Sequence, residues 1–178
     1  SISKNKLATD AILIEQEKII ENVGSQDQIH AAYGGLNNIE FFQNGSFNVK
    51  PVNAKPETVS ALQDNCLLFF TGISRYASSI ASEQIKKTKE KEKELKIMLE
   101  LVSEAQNTLI GDNVNIDDFG RLLHESWLLK RSLTNKISST FIDKIYDTAK
   151  KAGATGGKLL GAGGGGFILF VAKPELHE

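Results

Sequence analysis

Lys158-Leu-Leu-Gly-Ala-Gly-Gly-Gly-Gly166 runs directly into Phe167-Ile-Leu-Phe-Val-Ala172, and this junction decides how the chain folds. Glycines remove β-carbons from the loop, so backbone N–H groups can approach an anion closely and converge on it. The apolar run that follows has the length and composition of a buried strand. Gly161, Gly163 and Gly166 satisfy Gly-x-Gly-x-x-Gly, but a dinucleotide fingerprint follows a strand and opens a helix, whereas this loop opens a strand. A P-loop is excluded as well, because Gly157-Lys158 is followed by Leu159 where Ser or Thr would bind magnesium. Two readings stay open on the residues alone: a phosphate cradle, or glycines needed for tight packing beside a strand.

The pattern Lys-x-x-Gly-Ala-Gly-x-Gly-Gly resembles the third signature of the GHMP small-molecule kinases. Asn22-Val-Gly-Ser-Gln-Asp-Gln28, Tyr33-Gly-Gly-Leu-Asn-Asn-Ile-Glu40, Thr71-Gly-Ile-Ser-Arg75 and His124-Glu-Ser-Trp-Leu-Leu-Lys-Arg-Ser-Leu133 extend the similarity, in particular to the branch acting on heptose 7-phosphates. The family's Gly-Leu-Gly-Ser-Ser-Ser type ATP loop is missing. The chain is therefore expected to be the C-terminal part of a kinase, inactive by itself. The resemblance implies an α+β fold, with the end of an S5-like N-terminal domain over residues 1–58 and a ferredoxin-like GHMP kinase C-terminal domain over 59–178.

Composition agrees with a globular protein: 178 residues, 40% hydrophobic and 24% charged, allow one sizeable core or two small ones. A formal net charge of −1 gives no global attraction to nucleic acid or an anionic membrane, so any phosphate binding must be local. The single cysteine, Cys66, forms no internal disulfide and reads as a small buried hydrophobe. No apolar run reaches the roughly 20 residues that cross a bilayer, and the first residues lack a signal-peptide core, so the cytoplasm is the expected location.

Apolar residues from Leu7 to Ile20 recur at helical spacing, with a stop at Asn22-Val-Gly24. Leu36–Phe42 and Phe47–Val52 flank Asn44-Gly45 and predict a tight β-hairpin. Pro51 and Pro56 mark a link. Cys66–Phe70 reads as a buried strand, and 75–109 as one long helix with a solvated Lys/Glu middle. There Glu83 with Lys87, and Glu92 with Lys96, are ordered for i,i+4 pairing. Asp117 and Ser138 are candidate caps for two further helices, the second ending at Gly153. Phe167–Ala172 returns as a central strand, giving helices over an antiparallel sheet.

The resemblance implies site roles residue by residue. Asp27 matches the catalytic aspartate that receives the hydroxyl proton, although capping a short helix is an equal alternative on sequence. Glu15 matches the magnesium-binding glutamate, with Glu17 as competitor; a carboxylate suits this hard cation. Gly161, Ala162, Gly163, Gly164 and Gly165 would bind ATP phosphate. Thr71 and Arg75 follow an apolar strand and would border the sugar or phosphoryl site, with the guanidinium suited to a bidentate phosphate contact. An arginine is unfavourable at a helix start, which favours an anion nearby. Lys130 and Arg131 either hold the substrate's 7-phosphate or complement a helix dipole. Trp127 reads as core. His30, His124 and His177 are isolated and assemble no zinc site.

The resulting expectation is an ATP- and Mg2+-dependent sugar kinase acting on the anomeric hydroxyl of a heptose 7-phosphate or a related sugar phosphate. Neither nucleic acid nor membrane is expected as a partner. The alternative is a non-catalytic phosphosugar- or nucleotide-binding module.

Overall fold

The computed structural model describes residues 2–74 and 77–177. It resolves into two compact units, Ser1–Asn53 and Ala54–Glu178.

In the first unit, α1 (Lys4–Leu13) starts at the N-cap Ser3, whose Oγ accepts the Lys6 N–H. It does not continue as a regular α-helix to Ile20. Residues Ile14–Lys18 widen into a π-helical turn, closed by Ile19 N–H donating to Ile14 C=O at 2.9 Å. Ile20 then takes φ +60°, a left-handed conformation unusual for a β-branched residue, and ends the helix before the expected stop. The helix α2 (Gln26–Tyr33) packs on α1 through Ala8 and Ile29, both fully buried. Lys4 Nζ ties the ends together by donating to Tyr33 C=O at 2.6 Å. The hairpin forms as β1 (Asn37–Phe41) and β2 (Phe47–Pro51), antiparallel with Ile39 opposite Val49. Its connection is longer than a two-residue turn; Gly45 takes φ +82°, and Asn44 Oδ1 accepts from both Ser46 N–H and Oγ–H.

The second unit begins with a helix that the proline-flanked link concealed. In α3 (Pro56–Asp64) Pro56 opens the first turn, where its missing N–H costs nothing. The strand β3 (Cys66–Phe70) is followed by α4 (Ala77–Lys87) and α5 (Glu92–Ile110). These two helices replace the single long one predicted, because the stretch between Lys86 and Glu92 carries no apolar stripe to anchor it and turns at Thr88–Lys91. The expected pairs do form, Lys87–Glu83 at 3.7 Å and Lys96–Glu92 at 2.7 Å. The helix α6 (Ile116–Leu133) is capped by Asn115 rather than Asp117, which lies in the first turn. The last helix, α7 (Thr140–Lys151), is capped by Ser139; Ser138 instead donates to Asp143 Oδ1 at 2.7 Å.

A strand not foreseen, β4 (Gly156–Leu159), pairs antiparallel with β5 (Phe167–Val171), giving the order β3-β5-β4. The central place of β5 is as predicted. β3 is not fully buried: among the described residues it pairs only with β5, which leaves Leu68, Phe69 and Phe70 52–58% exposed. The core lies between the sheet and the helices, with Trp127, Ile142, Tyr146, Leu159, Ile168 and Phe170 at its centre. Rings of Trp127 and Tyr146 lie 5.9 Å apart, and those of Tyr146 and Phe170 5.6 Å apart.

Gly156 shows why β4 carries no strand signature. A β-carbon there would stand 1.7 Å from Gly120 C=O and 3.1 Å from the His124 nitrogen. Side chains are excluded so that α6 can lie against the strand. Gly156→Ala is expected to destabilise the unit by about 3 kcal/mol, the upper end of overpacking costs, as measured by urea unfolding. An unchanged midpoint would show that α6 moves away freely.

Beside this contact Tyr146 Oη donates to Gly157 C=O at 3.1 Å and lies 2.7 Å from His124 Nδ1. Burial pushes the Tyr146 hydroxyl up to about 12. Burial, with the Lys150 and Arg131 charges nearby, holds the His124 imidazole below its ordinary 6.5. The unfolded chain therefore binds more protons below that pH, so this contribution is complete above about 6.5 and is lost as pH falls through the lower native value. We expect His124→Gln to flatten the fall in melting temperature between pH 6.5 and the native value. An identical pH profile in both proteins would remove His124 from this role.

Candidate active site

The glycine loop is built by three structural constraints acting on one backbone. Gly161, Gly163, Gly164 and Gly166 all take positive φ, at +65°, +118°, +75° and +89°. At Gly163 a β-carbon would come within 2.9 Å of Ile137 backbone atoms, and at Gly165 within 2.7 Å of Ile73 C=O. At Gly161 and Gly166 nothing stands within 4 Å of that position. The loop thus has one packed side, as the packing alternative required, and one open side, as a ligand cradle requires.

Its hydrogen bonds separate the peptide groups further. Gly164 N–H donates to Ile137 C=O and Gly166 N–H to Ile73 C=O, both at 2.8 Å, which removes Gly164 from the expected phosphate donors. The N–H groups of Gly161, Ala162 and Gly165 have no acceptor among the described residues, and that of Gly163 closes only the loose turn over Gly161–Ala162. A polyanion such as a nucleotide phosphate fits this donor set.

Thr71 is buried against the same loop. Its hydroxyl donates to Gly166 C=O at 2.9 Å and accepts the Ile73 N–H at 3.3 Å, so it braces the loop from the end of β3. Arg75 lies outside the described residues. Lys130, in the last turn of α6, turns its ammonium onto Gly161 C=O and, at 3.4 Å, Leu159 C=O. Arg131 points elsewhere, to Asp143 Oδ1 at 3.1 Å, an acceptor it shares with Ser138. The structure therefore groups Thr71, Lys130 and the loop, and leaves Arg131 in a separate ion pair. Gln84 of α4 was missed by sequence reasoning: its Nε2 donates to Ala162 C=O at 2.7 Å. No local signal links residues so far apart. Lys158 does not imitate a P-loop lysine, since its ammonium donates to Ser126 Oγ at 3.0 Å, and burial lowers its pKa.

The acidic candidates lie in the first unit. Asp27 is exposed in the first turn of α2, where Ser25 holds the N-cap position, so the carboxylate is open to solvent. Glu15 sits in the π-helical turn, half-buried, and accepts the Nε2–H of Gln28; Glu17 is exposed. The buried Oε1 of Gln28 has no hydrogen-bond partner among the described residues. A carboxylate beside an unpaired amide oxygen offers hard oxygen donors, which fits magnesium held by one or two protein ligands with water and phosphate. Among the described residues no three His, Cys, Asp or Glu side chains cluster to hold a metal by themselves.

A cavity of about 510 Å³ opens elsewhere in the second unit, lined chiefly by Leu67, Phe69, Phe141, Ile145 and Phe170, and by no residue of the loop. Its walls are mainly apolar, with Lys144 and Thr148 among the lining residues. Among the described residues no helix is long and apolar enough to cross a membrane.

Residues 112–178, which include the loop and the sheet edge beneath it, match the family GHMP kinases C terminal. They form a GHMP kinase C-terminal domain. Over 97% of its length the chain is 34% identical to the D-glycero-alpha-D-manno-heptose 7-phosphate kinase of Campylobacter jejuni, of which it covers 51%. Among solved structures, a D-glycero-D-manno-heptose 1-phosphate kinase from Bacteroides thetaiotaomicron superposes with TM-score 0.61 at 29% identity, covering 98% of this chain and 46% of that one. L. major mevalonate kinase shares the fold at TM-score 0.70 and 23% identity, over 97% of this chain and 50% of that one. The chain that carries this GHMP kinase domain thus spans about half the length of these relatives. Its homologues are sugar kinases, and the α+β architecture described above is the GHMP kinase C-terminal fold.

Proposed function

We propose that this chain supplies part of an ATP- and Mg2+-dependent sugar kinase that phosphorylates the anomeric hydroxyl of a heptose 7-phosphate or a close relative. The observation that carries the reading is the open face of the glycine loop, where the N–H groups of Gly161, Ala162 and Gly165 have no acceptor among the described residues while neighbouring groups are hydrogen-bonded. Donors fixed in advance favour the charge of a transferring phosphoryl group without having to reorganise. Asp27 takes the proton of the sugar hydroxyl. Glu15, held by Gln28, is the magnesium ligand, and the ion when bound neutralises phosphate charge. Thr71 borders the phosphoryl site through its hold on the loop, and Arg75 contributes a phosphate contact. The 34% identity to a heptose 7-phosphate kinase supports the choice of sugar.

The test is ADP release with ATP, Mg2+ and a panel of sugar phosphates, run on the 178-residue chain and on a longer polypeptide that contains it. Transfer to the heptose phosphate in preference to hexose phosphates supports the assignment. Binding of ATP or sugar phosphate without transfer in either protein would favour the non-catalytic module instead.

A further inference from the structure

We infer that Lys130 and Gln84 are positioning residues that create the two central anion donors of the glycine loop, a role that deepens the phosphate reading and rests on it. All described peptide bonds are trans, so the C=O of one residue and the N–H of the next point in opposite directions. Fixing one fixes the other.

From Gly161 to Gly166, the pinned peptide groups fall into two kinds. Where a backbone carbonyl does the pinning, it uses up the N–H: Ile137 takes that of Gly164, and Ile73 that of Gly166. Where a side chain does the pinning, it grips the C=O and leaves the N–H free. Lys130 Nζ donates to Gly161 C=O, which turns the Ala162 N–H to the opposite side. Gln84 Nε2 donates to Ala162 C=O at 2.7 Å, which does the same for the Gly163 N–H. The Ala162 N–H has no acceptor among the described residues, and the Gly163 N–H closes only a loose turn on Leu160 C=O. Side-chain anchoring of carbonyls is thus the device that yields oriented, unspent donors in a segment whose glycines would otherwise leave each peptide plane free to rotate. Lys130 comes from the last turn of α6 and Gln84 from α4, so two separate helices set the loop.

The two residues differ in a useful way, because Lys130 also brings positive charge whereas Gln84 is neutral. The test uses the 15N-labelled chain and its Lys130→Met and Gln84→Leu variants. Backbone order parameters are measured first, followed by titration with sodium pyrophosphate. In the wild type, Ala162 and Gly163 amides should be rigid and should shift on titration. Lys130→Met should drop the Ala162 order parameter to below about 0.6, and Gln84→Leu that of Gly163, with Gly164 and Gly166 unchanged. Pyrophosphate affinity should fall about tenfold in each. Loss in Gln84→Leu identifies orientation rather than charge as the cause, and Lys130→Arg should recover most of the order. If both variants keep wild-type order and affinity while the wild type binds, the positioning role is overturned and the phosphate reading survives. If the variants loosen the two amides but no protein responds to pyrophosphate, the positioning stands and the phosphate reading fails.

Discussion

Trp127→Ala should lower the unfolding free energy of the second unit by about 3–5 kcal/mol, enough to consume much of the stability of a domain this size. The indole is fully buried, lies 5.9 Å from Tyr146 and belongs to the same cluster as Ile142, Leu159 and Phe170. Truncation removes its transfer free energy and leaves a cavity that α6 cannot collapse into, because Gly156 already holds Gly120 against the strand. The indole Nε1 is buried and has no hydrogen-bond partner among the described residues, so its polar edge contributes nothing that a phenyl ring would lack. Trp127→Phe should therefore cost well under half as much. Urea unfolding followed by circular dichroism separates the outcomes, and equal losses in both variants would show that the N–H, not the packing, carries the stability.

Asp27→Asn should reduce phosphoryl transfer by about 10²–10⁴-fold in an active preparation, whether the 178-residue chain or a longer polypeptide containing it, with little change in the KM for ATP. The carboxylate is exposed in the first turn of α2, and Ser25 already occupies the N-cap position. Removing its charge therefore leaves the helix intact, and a loss of rate with unchanged melting temperature would isolate proton acceptance from folding. A variant that kept more than a tenth of the rate would move the base to another residue. Glu15 and Gln28, which share a hydrogen bond close by in the sequence, would then be examined by the same comparison.

Local patterns made much of this fold readable. Asn44-Gly45 placed the hairpin, the run after Gly166 placed the central strand, and the acid–base spacing of Glu83 with Lys87 gave a real ion pair. The missed strand and the misread burial share a physical cause, which is that the deciding partner is distant in sequence. Gly156-Gly-Lys-Leu159 looks like loop until Gly120 is known to press on it. Cys66–Phe70 reads as buried because its apolar side chains cannot reveal that, among the described residues, it has a strand neighbour on one side only. Asn115 and Ser139 took the caps from residues beside them, a choice made by backbone geometry at the helix entrance. At the candidate site, the glycines announced the loop, but only the fold separated Gly164, whose N–H is spent, from its neighbours. Lys130 was legible as a cation and not as a grip on a carbonyl.

The contacts that shape the loop join residues 31, 78 and 95 positions apart in the chain. Closing such spans has an entropic cost that no neighbouring interaction offsets, so the donor array cannot exist in a nascent hairpin of β4 and β5. It emerges only when α4, α6 and the β3 end have all arrived. The proposed competence to meet a phosphate would therefore be a property of the finished unit, and a partly folded chain would be blind to it.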